Sequence, residues 1–325
     1  MIAVQDYTSK EPLVSVIVVT YNSSNSIIET LDSIYQQSYL NIELIITDDY
    51  SKDNTNDRCQ KWLEKNGNRF LQTKFISGPR NTGISMNCNR GLSACSGDWV
   101  KMIAGDDKIE KNCLKSNVDF VKKSKQICVV ISQYEMYKDK FISENLIGIR
   151  PPENLLPFFE MKVEDQYDEM IINSYALILG LFIKRDVLTK LGGFDERFKN
   201  IEDLPILIKL LENGHKFYFL KKVTAYYRIS SSSISSQRSI NYKFMLSDLF
   251  KIYLKLRRPR LTFSYKMHYD LHFIGEYMNT YIFRYWNFEF GQKISRMLLQ
   301  LSPIQHKIRL KARNNFNNSN KTKFK

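Results

Sequence analysis

The sequence predicts an α/β fold built on a sheet with parallel members, and two observations carry that expectation. Short β-branched or apolar runs recur at Leu13 to Val19, Ile42 to Ile46, Phe70 to Ile76 and Trp99 to Ala104. Between them lie stretches whose apolar residues return at helical spacing, the alternation that lays helices over a parallel sheet. Ligands of such sheets bind where the C-terminal ends of the strands meet the loops.

Taking the elements in order, Leu13 to Val19 is nearly continuous in Val and Ile, as in a strand covered on both faces, and it exits through Thr20, Tyr21, Asn22, Ser23 and Ser24. Ile27, Ile28, Leu31 and Ile34 then predict a helix packed back on the sheet. The second strand exits into Thr47, Asp48, Asp49, Tyr50 and Ser51, and Asp53, Asn54 and Thr55 are available to start a helix containing Cys59, Trp62 and Leu63. After the third strand, Pro79 and Gly83 frame an irregular loop before a helix with Ile84, Cys88 and Leu92. The Trp99 strand is bounded by Gly97-Asp98 and by Gly105-Asp106-Asp107. Alternation along an extended chain would turn Asp106 and Asp107 to opposite sides, leaving two carboxylates for different work.

The first strand does not lead into Gly-x-Gly-x-x-Gly, and no Gly-x-x-x-x-Gly-Lys occurs, so a glycine loop that cradles phosphate is missing. A hard divalent cation on Asp107 is the natural substitute, because such ions take carboxylate oxygens and keep positions open for phosphates.

With 325 residues, 43% hydrophobic and 13% aromatic, the chain can bury a sizeable core. No apolar run reaches the roughly 20 residues of a membrane span, and Asp6, Lys10 and Glu11 interrupt the start too early for a signal peptide, so a cytoplasmic protein is expected. Cys59, Cys88, Cys95, Cys113 and Cys128 lack zinc-ligand spacing and read as reduced thiols. The charge is lopsided: residues 237–325 hold 18 Lys and Arg against 4 Asp and Glu, which is the whole +14 surplus. This divides the chain into 1–236, the α/β domain, and 237–325, a basic, aromatic-rich helical extension.

The ordered set Val14 to Asn22, Asp48 to Thr55, Asn81-Thr82-Gly83 with Asn87, Asn89 and Gly91, and Ala104 to Asp107 resembles the family 2 glycosyltransferases with the nucleotide-sugar-binding GT-A fold. The likeness runs from Pro12 to Ser233. It implies that Thr20, Tyr21 and Asn22 pack against uracil, that Asp49 accepts a hydrogen bond from the base, and that Asn81 and Asp106 meet the nucleotide sugar, Asp106 at ribose or sugar hydroxyls. By the same resemblance Asp107 ligates Mn2+ or Mg2+ on the diphosphate of a UDP-sugar. The family commonly writes Asp-x-Asp, whereas Gly105 stands at the first Asp-like position here.

Leu114, Val118 and Val121 predict a helix and Ile127 to Ser132 a strand, while Tyr134 to Asp168 has no firm period and reads as linking structure. Ala176 to Ile183 is an apolar strand-like run interrupted by Gly180, and Lys184-Arg185-Asp186 opens a short helix ending at Gly192-Gly193. Gly192 to Glu196 followed by Ile201-Glu202-Asp203 also resembles the family, which implies that Asp203 is the general base. Such chemistry needs one: an acceptor hydroxyl loses its proton as it attacks the anomeric carbon, opposite a departing diphosphate. Tyr226 to Ser230 resembles the closing segment in which Arg228 approaches the diphosphate. His268 and His272, spaced i, i+4 without an acidic partner, read as helix-face residues and not zinc ligands.

Beyond Ser236, Phe244 to Leu256 and Phe273 to Trp286 look helical, punctuated by Arg257-Arg258-Pro259-Arg260, with Met297 to Leu301 after them. Basic residues interleaved with aromatics suit a helix in a membrane interface. Nucleic acid is the competing partner, and is not expected beside a catalytic set. A solvated helical cap with a disordered tail after Arg313 is the plainer reading. The resemblance implies an inverting hexosyltransferase of O-antigen, capsule or similar polysaccharide assembly, acting on a saccharide carried on undecaprenyl diphosphate. The runs Asn81 to Asp107 and Asn112-Cys113 are similar to bacterial enzymes that add β-1,3-linked glucose or galactose to an N-acetylhexosamine.

Overall fold

The computed structural model describes residues 11–230 and 242–283, with 292–294, 297 and 304. Strands β1 (Val14–Thr20), β2 (Ile42–Asp48), β3 (Gln72–Ser77) and β4 (Trp99–Ala104) alternate with helices α1 (Ile27–Tyr35), α2 (Thr55–Asn66) and α3 (Ile84–Ala94). They are followed by β5 (Lys108–Ile109), α4 (Cys113–Val121), β6 (Val129–Lys138), β7 (Leu146–Arg150), α5 (Leu156–Glu160), α6 (Val163–Asn173), β8 (Leu181–Lys184), α7 (Arg185–Lys190), α8 (Asp203–Glu212) and β9 (Tyr218–Ile229). The sheet is mixed, in the order β3-β2-β1-β4-β8-β6-β9-β5, with β7 paired to β6 off that path.

β1 is parallel to β2 and to β4, with Thr20 opposite Asp48 and Val19 opposite Ala104, so the three polar exits come out at one edge. Strand order reverses between β2 and β4 around β1, the kind of switch point that opens a crevice in α/β sheets. β1 and β2 are buried almost end to end, which their Val and Ile content anticipates. Val14, Val16, Val18, Ile42, Leu44 and Ile46 share a core with Leu31 and Ile34 of α1, Trp62 of α2 and Leu114 of α4. Helix α3 covers the other face so closely that a Cβ at Gly91 would lie 2.4 Å from Ile17.

The stretch expected as linking structure is ordered: it holds the second half of β6, the β7 hairpin, α5 and the start of α6. Its irregular hydrophobicity follows from β7, an edge strand whose Leu146, Ile147 and Ile149 are exposed, so no period marks a buried side. The run Ala176 to Ile183 is not one strand. A 3-10 turn, Ile178–Gly180, precedes β8, and a Cβ at Gly180 would lie 2.1 Å from the Ser132 carbonyl, so only glycine lets the chain pass β6 there.

Two compact units are Met1–Asp248 and Leu249–Lys325. The boundary expected at Ser236 and the tail beyond Arg313 lie outside the described residues. Helix α9 (Tyr242–Ile252) runs on as a π turn, Tyr253–Arg257, and after a 3-10 turn at Arg258–Arg260 comes α10 (Phe263–Tyr277). The helix expected from Phe273 thus begins ten residues earlier, at Phe263. His268 and His272 pack beside the rings of Tyr269 and Phe273. Among the described residues no helix is long and apolar enough to cross a membrane, and all five cysteines are free thiols.

One buried carboxylate holds the far edge of the sheet. Glu43, 1% exposed on β2, accepts the Ser15 hydroxyl, the Ser96 hydroxyl at 2.8 Å and the Gly97 N–H at 2.7 Å, tying the chain after α3 to β1 and β2. Burial alone would raise its pKa, but the hydrogen bonds from Ser15, Ser96 and Gly97 outweigh it and hold the carboxyl below its ordinary 4.5. Its contribution to stability is therefore complete above about pH 4.5 and is lost as the pH falls through the lower folded-state value. Replacing Glu43 with Ala leaves those donors buried and unpaired and is expected to cost about 3 kcal/mol in urea melts at pH 7. The gap between variant and wild type should narrow as the pH falls below 4.5 through the lowered folded-state value.

Candidate functional site

The polar exits of β1 and β2 are stitched together before any ligand is considered. Asn22, at φ 50°, donates its N–H to Ser51 Oγ at 2.8 Å and accepts the Lys52 N–H on Oδ1 at 2.8 Å. The Ser23 N–H reaches Thr55 Oγ1 at 2.8 Å. This leaves Tyr21 and Tyr50 exposed on the two linked loops. Thr20 is the converse: it is buried, and its hydroxyl has no hydrogen-bond partner.

Asp49 is engaged in a different contact from the one expected. Its carboxylate accepts the N–H groups of Thr82 at 2.9 Å and Gly83 at 2.7 Å and the Thr82 hydroxyl at 2.6 Å, with Arg90 3.6 Å away. It therefore pins the Asn81–Gly83 loop, on which Asn81 is exposed. The loop passes into α3 at Gly83, whose φ is +93° and whose hypothetical Cβ would lie 2.5 Å from the Lys199 carbonyl.

Helix α3 then joins the two halves of the site. On one side Asn87, 1% exposed, donates to the carbonyls of Thr20 at 3.2 Å and Thr47 at 3.1 Å, and its Oδ1 accepts from Thr47 Oγ1 and Arg90, both at 2.6 Å. On the other side Ile84 N–H donates to the Lys199 carbonyl at 2.8 Å and Ser85 Oγ to the Phe198 carbonyl at 2.5 Å. Asn89 exchanges two bonds with Phe194, at 2.9 and 2.8 Å, just after Gly193. These contacts hold the segment that delivers Glu202 and Asp203 to the start of α8. Buried Leu204, Ile206, Leu207, Leu210 and Leu211 anchor that helix.

At the end of β4 the chain does not stay extended. Gly105 and Asp106 form a turn, Asp107 N–H returns to the Ala104 carbonyl at 3.2 Å, and β5 then pairs with β9. The alternation expected for Asp106 and Asp107 is thus replaced by turn geometry. Asp107, 3% exposed, accepts the Arg228 N–H on Oδ1 at 2.8 Å, and its carbonyl accepts the Thr30 hydroxyl of α1 at 2.7 Å. The Asp107 carboxyl is pushed well up, by burial first and then by the neighbouring Asp106 charge, and burial raises Asp106 too.

Arg228 has partners within the protein. Its guanidinium donates to the carbonyls of Asp106, at 2.8 Å, and Asp139, pairs with Glu29 at 2.5 Å, and lies over the Phe141 ring at 4.2 Å. These contacts hold the Asp106–Asp107 turn. The residue type was legible, but the partners come from α1, β6 and the β7 hairpin, none of which local spacing could connect to it.

Tyr134 of β6 is the site residue that sequence reasoning missed. It is buried, donates to the Ala176 carbonyl at 3.1 Å, and its phenol is raised by burial and then by the charges of Tyr227, Asp203 and Asp107. Asp107 and Asp203 therefore act on one ring from separate elements. On the α3 side, the Cys88 thiol is raised by burial and then by the charges of Glu202 and Asp49. Helix α3 thus joins the exits of β1 and β2 to the segment before α8, although these stretches are distant in sequence. Tyr134 had no signal of its own, because it sits where the hydrophobic pattern loses its period.

The Glu202–Asp203 pair is itself unusual. Burial and the adjacent Asp203 charge push Glu202 up to about 8, and burial raises Asp203. Two neighbouring carboxyls that resist losing both protons suit a proton acceptor poised near neutral pH.

Known proteins share this fold. A solved S. aureus TarS fragment in complex with UDP-GlcNAc superposes with a TM-score of 0.57 at 20% identity, covering 90% of this chain and 82% of that one. The mannosyltransferase PcManGT from Pyrobaculum calidifontis, in complex with GDP-Man and Mn2+, gives a TM-score of 0.59 at 17% identity over 89% of this chain and 74% of its own. At these identities the likeness shows the fold, a GT-A glycosyltransferase fold. Among relatives by sequence, a Bacillus subtilis protein named for teichuronic acid biosynthesis, TuaG, is 29% identical over 71% of this chain and 84% of its own length. The amylovoran biosynthesis glycosyltransferase AmsB of Erwinia amylovora is 26% identical over 78% of this chain and 82% of its length. The sequence model described as glycosyl transferase family 2 matches residues 15–183, just over half of the chain, so this protein belongs to that family and is a glycosyltransferase.

Proposed function

We propose that the chain is an inverting, metal-dependent hexosyltransferase that moves glucose or galactose from a UDP-sugar to a saccharide on undecaprenyl diphosphate. The product is a bacterial surface polysaccharide such as O-antigen or capsule, and the work is done at the cytoplasmic face of the inner membrane. A β-1,3 linkage to an N-acetylhexosamine is the finer form of this reading. The observation that carries it is helix α3, which ties the exits of β1 and β2 through Asn87, and the segment leading to Glu202 and Asp203 through Ser85 and Asn89. The names of TuaG and AmsB support the polysaccharide setting, the TarS complex supports a UDP-sugar donor, and the PcManGT complex supports a divalent metal.

In this scheme the acceptor hydroxyl gives its proton to the Asp203 carboxylate while its oxygen bonds to the anomeric carbon. The bond from that carbon to the diphosphate oxygen breaks on the opposite side, the electron pair leaves with UDP, and the configuration inverts. Tyr21 and Tyr50 offer exposed rings for the base, and Asp106 the hydroxyl contacts.

The residues present fit a hard cation that the substrate completes. Asp107 is buried and Asp106 half-buried, both carboxyls are raised in pKa, and the unpartnered Thr20 hydroxyl lies against Gly105. Among the described residues no cluster of three or more His, Cys, Asp or Glu side chains could hold a metal unaided. Asp107 would carry the ion, with diphosphate oxygens and water filling the remaining positions. When bound, Mn2+ or Mg2+ supplies Lewis-acid stabilisation of the departing diphosphate. Gly105 has a steric reason to depart from Asp-x-Asp, since a Cβ there would lie 2.7 Å from Thr20 Oγ1 and 3.0 Å from Ser23 Oγ.

Converting Gly105 to Asp should therefore not tighten metal binding. It is expected to lower stability by about 2 kcal/mol in thermal melts, from overpacking. Asp203→Asn should retain metal-dependent UDP binding by calorimetry while turnover falls about 100-fold or more, and near-normal turnover would reject the assignment of the base. Asp107→Ala should weaken UDP-sugar binding itself. The pH–rate profile should rise with ionisation of Asp203, at a pH above its ordinary 3.8 because burial raises that carboxyl, and a profile flat across the acid range would reject the assignment.

A further inference from the structure

The second compact unit carries an apolar surface that its own packing leaves uncovered. Helix α10 already uses one side for its core: Phe273 is buried against the rings of Phe250, at 5.2 Å, and Tyr253, at 5.0 Å, and Gly275 is buried beside it. A helix with one packed side is expected to be polar on the other. Here Phe263, Ile274 and Tyr277 are 77%, 50% and 58% exposed. They are separated by about three and about four helical turns, which puts them on one line along the helix. Leu254, in the preceding π turn, is 43% exposed as well.

Charge indicates what covers this line. From Leu249 to Phe283 there are six Lys and Arg against Asp270 and Glu276. Asp270, the acid on the same arc as the exposed residues, is clamped by Arg258 at 3.1 and 3.0 Å and by the Tyr253 hydroxyl at 2.7 Å. Glu276 falls on the opposite arc by helical spacing. Lys255 and Arg260 are exposed near the N-terminal end of α10, close in sequence to Phe263. Exposed aromatic and aliphatic side chains with exposed basic residues a few positions before them match the boundary between acyl chains and anionic headgroups, where rings bury and cations meet phosphate.

We propose that the Phe263–Ile274–Tyr277 line of α10, with Lys255 and Arg260 at its basic end, is the surface through which the protein lies on an anionic lipid bilayer. This rests on the membrane setting proposed above and names the contact within it. The test uses the full chain and sucrose-loaded vesicles of phosphatidylglycerol and phosphatidylethanolamine, with phosphatidylcholine vesicles as the neutral arm. Wild type should co-sediment with the anionic vesicles, and less so in high salt. The combined variant Phe263→Ser, Ile274→Ser, Tyr277→Ser should lose about tenfold or more of its partitioning with an unchanged circular dichroism spectrum, since each side chain forfeits apolar burial. Lys255→Gln with Arg260→Gln should weaken anionic binding and leave the neutral arm alone. If wild type binds and the triple variant binds equally, this contact is wrong while the membrane setting survives. If wild type fails to bind anionic vesicles, both fall. A concentration-dependent dimer in sedimentation equilibrium that the triple variant abolishes would overturn the proposal by giving the surface to a second copy.

Discussion

Helix α3 is the constraint on which the site depends. Asn87 spends its whole amide on Thr20, Thr47 and Arg90, so the helix cannot shift without leaving buried carbonyls of two parallel strands unpaired. The same helix holds Phe194, Phe198 and Lys199 through Asn89, Ser85 and its first N–H. One rigid element thereby fixes the distance between the strand exits and the segment carrying Glu202 and Asp203. Glycine at 83 and 193 is required by the closeness of that docking, since Cβ atoms there would lie 2.5 Å from Lys199 and 2.4 Å from Asn89.

The site has an electrostatic symmetry. After β4 and before α8 stand two pairs of adjacent acids, Asp107 buried and the other three half-buried, each raised in pKa mainly by burial. Such pairs are costly for folding alone and make sense where a partner arrives to take up the charge. A cation and diphosphate would do so at Asp106 and Asp107, and a transferred proton at Asp203. Arg228 belongs to the scaffold of the first pair: it closes the Gly105–Asp107 turn against β9, and its own charge is balanced by Glu29.

The second unit follows a different physical rule. Its interior is aromatic, with Tyr253 and Phe273 stacked at 5.0 Å and Arg257 over Tyr269 at 4.3 Å, and its exterior combines bases with exposed rings. Ring packing and the Asp270–Arg258 pair help to order it. The large apolar groups left outside mark it as a surface for something other than water.

The amino-acid sequence by itself determined the αβ alternation, the buried parallel strands and the acids at positions 49, 106, 107 and 203, because these rest on local periodicity and on motifs that are contiguous. Strand β1 and helices α3 and α8 come out where Leu13–Val19, the Ile84 helix and the Leu204 stripe placed them. What only tertiary structure decided is which groups spend their hydrogen bonds on each other. Asp49 turned to Thr82 and Gly83, Arg228 to Glu29 and two carbonyls, Asp106 into a turn, and Tyr134 into the space between two distant carboxylates. Each outcome depends on partners 30 to 200 residues away along the chain, roughly the separations at which spacing rules are silent. A side chain's chemistry is written in its type, but its occupation is set by whatever the fold brings within 3 Å of it, roughly one hydrogen-bond length.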